Sequence, residues 1–310
     1  CDLHCRHCYD RTVRSQPDLA GGFKIIKEFR DFCDRRNVRG QISFTGGNPL
    51  LHSNFYDFYR EAGDKGIYRA VLGNPCTRED VEKILEIGEP EFYQISLEGL
   101  EEHNDYIRGE GHFKRSLQFL DLLKELGVYS MVMLTLTRDN MDQVLPLGEI
   151  LRDRTNRFNF NRLALFGEGA NLALPEKDDY RKFLERYDEA ALKNPVLGEK
   201  DSLINIIKKK SGRELFGGCA SHGCGAAFNF VSLLPDGEIH ACRKMPSLIG
   251  NLNSESLASI YDSPLAGRYR LGTSACTDCE IRPVCGGCPA VTMSCGLDIF
   301  IDKDPMCFLD

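Results

Sequence analysis

Cysteines are crowded at the two ends of this chain. Fourteen occur in 310 residues: three in an opening CxxxCxxC motif, nine between Cys219 and Cys307, and only Cys33 and Cys76 in the long interval. Such dense groups are typical of metal or cluster ligation in a reducing compartment, whereas disulfide frameworks belong to small secreted domains. The spacing therefore predicts inorganic cofactors at both ends of the chain.

The opening motif, CDLHCRHCYD, supplies the thiols of Cys1, Cys5 and Cys8 but no nearby fourth thiol. Structural zinc sites use four ligands, often from paired CxxC motifs. Three thiolates on a 4Fe-4S cluster would instead leave one iron open to a substrate or cofactor. The motif thus favours an open iron–sulfur cluster, with half of a zinc site as the alternative.

The C-terminal group is dense enough to shape a domain. Its nine cysteines fall within fewer than ninety residues of low apolar content, so buried surface alone would not hold this region together. Clusters or metal ions would supply the cross-links. Within this region, LLPDGEIHAC predicts a hairpin that ends at Cys242, because Pro-Asp-Gly is a strong turn signal between apolar runs.

Strand-like and helical patterns alternate between the two groups. Strand-like runs lie at about 40–45, 68–72, 92–97, 129–136 and 158–166. Helical spacing of apolar residues marks about 18–36, 53–65, 78–88, 113–126 and 141–153. Repeated βα units predict an α/β fold with a parallel sheet and right-handed crossovers. A polar, helix-rich segment from about Pro175 to Leu215 follows, and we expect Lys208, Lys209 and Lys210 to form a solvated helix face there.

The charge balance argues against two kinds of partner. Lys and Arg total 39 against 46 Asp and Glu, a net charge of -7, so we expect no nucleic acid and no membrane surface as partner. Because no apolar run reaches about 18 residues and no signal-peptide pattern precedes the first motif, we expect a cytoplasmic protein. The chain begins at Cys1 and not at Met, so an earlier segment, such as a peptide-recognition domain, stays an open alternative.

The opening motif, with His7 before Cys8, resembles the signature of the radical S-adenosylmethionine (SAM) enzymes. In that family SAM chelates the open iron of a 4Fe-4S cluster, and an electron from the cluster cleaves SAM to methionine and a 5'-deoxyadenosyl radical. The resemblance implies that Cys1, Cys5 and Cys8 hold the SAM cluster and that His7 lies at the SAM site.

A second motif, ISFTGGNPLLH, resembles the family's GGE segment, whose backbone pairs with the SAM amino group. Gly46 and Gly47 would let the backbone approach the ligand without a Cβ in the way. Asn48 replaces the usual Glu before Pro49, which preserves a backbone contact but not a carboxylate contact. The resemblance implies that these four residues bind SAM, whereas the stretch taken alone would be a tight turn.

A third motif, YQISLEGLEEHNDYIRGEG, is similar to the strand-4 segment of the family's peptide- and protein-modifying branch. It implies that Ser96 and Glu98 lie beside SAM at a strand end, with Ser96 toward the ribose or carboxylate; Glu98 departs from the common Asp. For His103 and Arg108, capping and surface roles stand beside a functional one, and we assign them no role in the site.

The resemblance also implies the architecture. It places a partial (β/α)6 TIM-type radical SAM barrel in residues 1–170, with its first strand missing before Cys1, a helical linker in 171–215 and a cysteine-rich SPASM domain in 216–310. Sites in such barrels lie at the C-terminal ends of the strands, where the three motifs fall. Periodicity by itself predicts only an α/β fold with a parallel sheet.

The C-terminal spacing resembles the SPASM domain of radical SAM peptide and protein maturases, which holds two auxiliary 4Fe-4S clusters. The family's interleaved ligation implies that auxiliary cluster I takes Cys219, Cys224, Cys242 and Cys288. Auxiliary cluster II would take Cys276, Cys279, Cys285 and Cys307. The remaining thiols, Cys33, Cys76 and Cys295, would be free, and a pair of zinc knuckles is the alternative.

The resemblance implies a maturase that cleaves SAM reductively and modifies a ribosomally synthesised precursor peptide by hydrogen abstraction, with a reductase, flavodoxin or ferredoxin as electron donor. GGNP and the GCGAAFNF segment further resemble selenobiotic, thio(seleno)oxazole-type peptide maturases. A non-catalytic iron–sulfur electron carrier or zinc-binding module would need no GGNP, no SLEG and no barrel, so the presence of GGNP and SLEG argues against that alternative.

An anaerobic sulfatase-type formylglycine maturase is a second hypothesis. Those enzymes carry an Asp as proposed base where Arg243 follows Cys242 here, and an arginine does not accept a proton at physiological pH. We expect Arg243 to pair with a substrate carboxylate or to tune the neighbouring cluster, with a surface role as the alternative.

Overall fold

A computed structural model describes residues 1–309 as an α/β fold built on a parallel sheet. The sheet has five strands within those residues, in the spatial order β1-β2-β3-β4-β5, and each adjacent pair is parallel. The strands are β1 Gln41–Phe44, β2 Tyr68–Leu72, β3 Tyr93–Ser96, β4 Ser130–Leu136 and β5 Arg157–Arg162. All five strands predicted from the sequence are therefore confirmed.

Eleven α-helices occur in the described part of the chain. Six of them lie before β5 in the chain: α1 Leu19–Arg36, α2 Phe55–Asp64, α3 Arg78–Ile87, α4 Glu101–Arg108, α5 His112–Glu125 and α6 Val144–Leu151. Those that follow β5 are α7 Lys177–Ala191, α8 Ile204–Lys210, α9 Leu257–Tyr261, α10 Pro264–Leu271 and α11 Pro289–Ser294. Apart from α4, the helices up to α6 are those that apolar periodicity predicted.

Except for α4, the helices that connect the strands cover the sheet because each carries its apolar residues on one face. Helix α2 buries Phe55 and Tyr59, and the Phe55 ring meets Phe44 of β1 edge-on with centroids 5.7 Å apart. Within β4, Val132 and Leu134 are fully buried. The sheet and its helices thus share one apolar core.

Helix α4 lacks the apolar stripe on which the prediction depended. Its sequence, EEHNDYIR, is polar, and only Asn104 and Ile107 are buried. The helix ends at Gly109, whose φ of 105° suits glycine. Tertiary contacts, and not local periodicity, form this helix, which brings Arg108 to the ends of the strands.

The segment predicted to be a linker packs back onto the sheet. Phe183 and Tyr187 of α7 meet Phe160 of β5 edge-on, with centroid separations of 5.3 and 5.0 Å. Such aromatic pairs stabilise packing beyond their buried area. Although this segment is polar in composition, its helix has one apolar face that packs on the sheet. The domain limits at 170 and 215 stay a prediction.

The C-terminal region contains a small antiparallel sheet in the order β6-β7-β8. Its strands are β6 Ser232–Leu233, β7 Glu238–His240 and β8 Leu248–Asn251. The predicted hairpin is confirmed: Leu233 pairs with Ile239, and Gly237 turns with a φ of 89°. Ile249 and Ile260 share a second core with Phe32 of α1, so this region packs directly on the first helix.

Within residues 1–309, none of the helices combines the length and the apolar character needed to cross a bilayer.

Candidate functional site

The opening loop lies over the C-terminal ends of the parallel strands. The Arg6 amide donates to the Ile107 carbonyl in α4 (3.0 Å), and the Glu168 amide, beyond β5, donates to the Cys8 carbonyl (2.9 Å). Gly167 has a φ of 56°, and a Cβ there would lie 2.6 Å from the carbonyl oxygen of Cys8. Segments that follow β3 and β5 therefore hold the cysteine loop in place.

The start of the loop is fixed by the segment after β2. Asn74 is buried, and its Nδ2 donates to Asp2 Oδ1 (2.7 Å). The Tyr93 hydroxyl donates to the Asn74 carbonyl (3.0 Å). Because Asp2 is the neighbour of Cys1, this chain of hydrogen bonds positions the first thiol.

The glycine motif after β1 packs against Cys1. A Cβ at Gly47 would lie 1.9 Å from Cys1 Cβ and 2.6 Å from Cys1 Sγ, whereas a Cβ at Gly46, with a φ of 143°, would meet nothing within 4 Å. The Asn48 side chain accepts from the Leu50 amide (3.3 Å) at the start of a short 3-10 helix that begins at Pro49. The motif therefore forms a cradle for the first cysteine beside an open backbone position.

Glu98 lies just beyond β3 and is fully buried. Its Oε1 accepts from Arg108 Nη2 (2.5 Å) and Nε (2.9 Å), and its Oε2 accepts from the Thr135 amide (2.8 Å). His7 Nε2 lies 2.8 Å from Oε1, without the alignment of a hydrogen bond. Burial alone would raise the pKa of Glu98, but the charges of His7 and Arg108 and these hydrogen bonds hold the pKa well below its ordinary value.

Arg108 also faces the cysteine loop, since its Nη1 lies 3.7 Å from Cys5 Sγ. Burial raises the pKa of the Cys5 thiol, the Arg108 charge opposes that rise, and Glu98 and Cys8 add to it. A cation beside a thiol favours the thiolate, which is the form that ligates iron. Glu98 thus holds Arg108, and Arg108 contacts the loop that carries the three thiols.

The backbone around Glu98 is fixed by two buried amides. Asn104 Oδ1 accepts from the Glu98 amide (3.0 Å), and Asn140 Nδ2 donates to the Glu98 carbonyl (2.8 Å). Ser96 is the last residue of β3. The structure brings His7, Glu98 and the loop together, but both carboxylate oxygens of Glu98 contact the protein, and its contact with SAM stays a prediction.

Sequence reasoning assigned no role to Arg108 and did not identify Asn74, Asn104, Thr135 or Asn140. For Arg108 a signal was present, because it lies in the same short motif as Glu98. Asn104 lies in that motif as well. Asn74, Thr135 and Asn140 contact the site from other segments of the chain, and no spacing rule marks such residues.

The four thiols predicted for auxiliary cluster II line one cavity. Its other walls include Leu203, Ile281 and Asp304. Burial raises the pKa of Cys285 to about 12, and Asp201, Cys307 and Asp304 add to the rise. Convergent thiols in a cavity between apolar walls match the donor set of a buried iron–sulfur cluster.

The thiols predicted for auxiliary cluster I also lie together. Burial is the main cause that raises the pKa of Cys224, and the neighbouring thiols of Cys288, Cys242 and Cys219 raise it further. Four neighbouring thiolates repel one another unless a cationic centre binds them. A cluster at this place would bind the four groups as thiolates and neutralise the charge that they bring together.

A single metal ion, such as zinc, would need several ligand side chains around one point. Across residues 1–309, no three His, Cys, Asp or Glu side chains converge closely enough to hold one metal ion. All fourteen cysteines are free thiols there.

Tyr9 connects the two halves of the candidate site. The Tyr9 residue keeps 40% of its surface exposed; partial desolvation raises the pKa of its phenol, Arg243 opposes the rise, and Cys242 and Cys8 add to it. Tyr9 therefore lies near the opening motif and near the segment that carries Cys242 and Arg243. This places Arg243 on the side of the C-terminal region that faces the opening loop.

Two protein-family models match the chain. The radical SAM superfamily matches residues 1–149, and SPASM, an iron–sulfur cluster-binding domain, matches residues 224–289.

Three curated relatives align with nearly the whole chain. The antilisterial bacteriocin subtilosin biosynthesis protein AlbA of Bacillus subtilis is 27% identical over 93% of this chain, which spans 64% of the length of AlbA. The mycofactocin maturase MftC of Mycolicibacterium smegmatis is 27% identical over 99% of this chain and 80% of its own. An AdoMet-dependent heme synthase of Methanosarcina barkeri is 23% identical over 99% of this chain and 93% of its own.

Solved structures share the fold. Streptococcus suis SuiB bound to S-adenosylmethionine superposes with a TM-score of 0.73 at 17% identity, covering 100% of this chain and 75% of SuiB. SuiB bound to its precursor peptide SuiA gives a TM-score of 0.74 at 18% identity, covering 100% of this chain and 74% of SuiB.

Proposed function

This chain is a radical SAM protein with a SPASM iron–sulfur cluster-binding domain, and on that premise we propose that it is a maturase that modifies a ribosomally synthesised peptide. The observation that carries the proposal is the meeting of the opening cysteine loop, the Glu98–Arg108 pair and the Cys242 segment on one side of the fold. A peptide substrate is supported by two relatives, one named for bacteriocin biosynthesis and one for mycofactocin maturation. It is also supported by the structure of SuiB, which has the same fold, bound to its precursor peptide.

In the proposed reaction, Cys1, Cys5 and Cys8 would hold the SAM cluster. When bound there, SAM and the cluster supply a 5'-deoxyadenosyl radical that abstracts a hydrogen atom from the peptide. Gly47 leaves room for Cys1, and the Arg108 cation favours the Cys5 thiolate. The backbone at Gly46 and the Ser96 hydroxyl at the end of β3 would face SAM.

The C-terminal thiols would hold two further 4Fe-4S clusters, with the two ligand sets assigned above, for a total of three clusters. Tyr9 and Arg243 would face the peptide between the SAM cluster and auxiliary cluster I. We assign Arg243 the binding of a peptide carboxylate, because its guanidinium offers a planar pair of donors. The electron donor would be a reductase, flavodoxin or ferredoxin, and the reaction would take place in the cytoplasm.

A second candidate is modification of a tetrapyrrole. It is favoured by one observation: the relative named as a heme synthase aligns over 93% of its length. Formylglycine formation has less support, because Arg243 occupies the position where its proposed base would stand.

One assay separates these candidates. Anaerobically reconstituted enzyme, SAM and dithionite are incubated with Cys-rich peptides encoded beside the gene, with a sulfatase-type CxPxR peptide, or with a tetrapyrrole precursor, and products are analysed by mass spectrometry. We expect a mass change in a neighbouring peptide that is abolished when Cys1, Cys5 and Cys8 become Ala. A mass change confined to the tetrapyrrole or to the sulfatase-type peptide would overturn the proposal.

A further inference from the structure

A buried ion pair joins the end of β5 to the C-terminal cysteine region. Arg162 and Asp304 are 3% and 5% exposed. Arg162 Nη1 donates to Asp304 Oδ1 (2.8 Å), and Nη2 donates to Oδ2 (2.7 Å). Arg162 Nε donates to Asp201 Oδ2 (2.7 Å). One guanidinium thus uses its planar donor geometry to bind two buried carboxylates from distant parts of the chain.

Asp304 in turn contacts the backbone of both predicted auxiliary ligand sets. Its Oδ2 accepts from the amide of Cys288 (2.8 Å), a ligand assigned to auxiliary cluster I. Its carbonyl accepts from the amide of Cys307 (2.9 Å), a ligand assigned to auxiliary cluster II. Its Oδ1 accepts from the Met306 amide (2.9 Å). A single aspartate therefore fixes one backbone position in each set.

The loop between the two sets closes tightly around Asp304. Gly287 precedes Cys288 with a φ of 68°, and a Cβ there would lie 2.8 Å from Asp304 Cβ. Asp304 also lines the cavity that the four thiols of the second set surround. The carboxylate is thus held beside one predicted cluster and bonded to the ligand loop of the other.

Stability alone is a weak explanation for these charges. Desolvation of a buried ion pair offsets much of its attraction, and well-packed apolar residues often do as well. Charge and hydrogen bonding near an iron–sulfur cluster, in contrast, set its reduction potential. The Arg162 cation and the Asp304 anion stand where they would act on both auxiliary clusters.

We propose that Arg162 and Asp304 are positioning residues that hold the ligand loops of both auxiliary clusters against β5 and, through their opposite charges, set the reduction potentials of those clusters. This inference rests on the two auxiliary clusters of the proposed function. Neither residue needs to touch SAM or the peptide.

The test compares Arg162→Met, Asp304→Asn and Arg162→Lys in the reconstituted enzyme. Loss of the cation in Arg162→Met should lower the auxiliary potentials, because an uncompensated carboxylate opposes reduction. Loss of the anion in Asp304→Asn should raise them. Arg162→Lys keeps the charge and should stay near the wild-type potential while it loses the paired hydrogen bonds. Iron content, the EPR signals of the reduced clusters and a potentiometric titration are measured.

The matched control is Arg36→Met, which removes the exposed ion pair of Arg36 with Asp262 between α1 and the C-terminal region. It should leave iron content and potentials unchanged. If Arg162→Met retains only the SAM-cluster iron, recovery of the missing iron in Arg162→Lys would support the inference, and equal loss in the control would overturn it.

Two outcomes separate this inference from the proposed function. A wild-type protein with only about four irons lacks auxiliary clusters, which overturns the cluster assignment together with the inference. The other outcome begins with a wild-type protein that holds about twelve irons. If the cluster potentials of Arg162→Met and Asp304→Asn then equal those of wild type, or shift in the same direction as each other, the inference alone is overturned.

Discussion

Single residues decide how the opening loop is held at the site. Glycine at position 47 is required by Cys1, whose Cβ would lie 1.9 Å from an added Cβ. Arg108 connects Glu98 to Cys5, and its position near the thiol became clear only when α4 and β3 met in space. At this scale the site depends on the close approach of the Gly47 backbone to Cys1 and on the buried charge pair of Glu98 with Arg108.

The close approach of Gly47 to Cys1 gives the first prediction. Gly47→Ala should reduce iron bound by the SAM cluster, because the new methyl group displaces a ligand side chain. The measurement is iron per chain after reconstitution. Gly267→Ala is the control, since a Cβ there meets only Arg270 at 3.9 Å in helix α10. Full iron content in Gly47→Ala would show that Cys1 is free to move.

Glu98 gives a prediction about acid stability. The pKa of Glu98 is lowered in the folded protein relative to its ordinary value of 4.5, so its ion pairs stabilise the fold fully above about pH 4.5 and progressively less as the pH falls below that value. Arg108→Gln should destabilise the protein at pH 7 by about 3–5 kcal/mol, because it leaves a buried carboxylate without its cation.

The double variant Glu98→Gln/Arg108→Gln is the matched comparison. It removes both charges, so it should recover part of the lost stability and should lose less stability than wild type between pH 4.5 and pH 3 in urea unfolding. Equal acid sensitivity of wild type and double variant would contradict this role of Glu98.

At the scale of elements, loops after β1, β2, β3 and β5 all contact the opening cysteine loop. The loop after β5 contacts the backbone of the opening loop, because the Glu168 amide donates to the Cys8 carbonyl. Helix α4 and helix α7 are polar in sequence, and tertiary contacts fix both of them. Residues in the loops and helices that connect the strands, and not residues of the strands themselves, therefore position the three thiols of the opening loop.

The contact after β5 can be tested at Gly167. Gly167→Ala would bring a Cβ within 2.6 Å of the carbonyl oxygens of Cys8 and Tyr9, so we expect a loss of about 1–3 kcal/mol and a lower yield of reconstituted SAM cluster. Gly212→Ala has a similar φ of 66° and open space around it; it bears only the backbone strain of about 1 kcal/mol. Equal stability and iron content in the two variants would argue against the contact.

At the scale of the molecule, the C-terminal region packs on the sheet domain at several points. Phe32 of α1 joins the core of the C-terminal sheet, Arg14 lies 3.6 Å from Asp236 in the β6–β7 turn, and Arg162 binds Asp304. These contacts bring the Cys242 segment toward the opening loop. The two ends of the chain, where the cysteines are densest, therefore meet across the candidate site.

Cofactor content tests the molecule as a whole. Eleven placed cysteines predict three 4Fe-4S clusters, so reconstituted protein should hold about twelve irons. Replacing Cys1, Cys5 and Cys8 with Ala should lower this to about eight and abolish SAM cleavage. Cys295→Ala is the control, since no cluster is assigned to that thiol. Stoichiometric zinc without iron uptake would contradict all three assignments.

The sequence by itself determined the order of strands and helices, the parallel sheet and the hairpin before Cys242, because apolar periodicity and turn residues act over short distances along the chain. It also separated the cysteines into groups by their spacing. Those thiols lie together in the structure, but their assignment to particular clusters stays a prediction. Helix α4 escaped detection because its polar sequence is stabilised by distant partners.

Only the tertiary structure decided which charges meet. Arg108 and Glu98 are ten residues apart, and the motif that contains both does not show that they pair. Arg162 and Asp304 are 142 residues apart, and no local pattern distinguishes them from the many charged residues on the surface. Whether an arginine is solvated or buried against a carboxylate depends on where strand ends and loops converge, and that follows from the packing of the whole chain. The physical reason is range: periodicity and capping are local, whereas burial and charge pairing belong to the assembled fold.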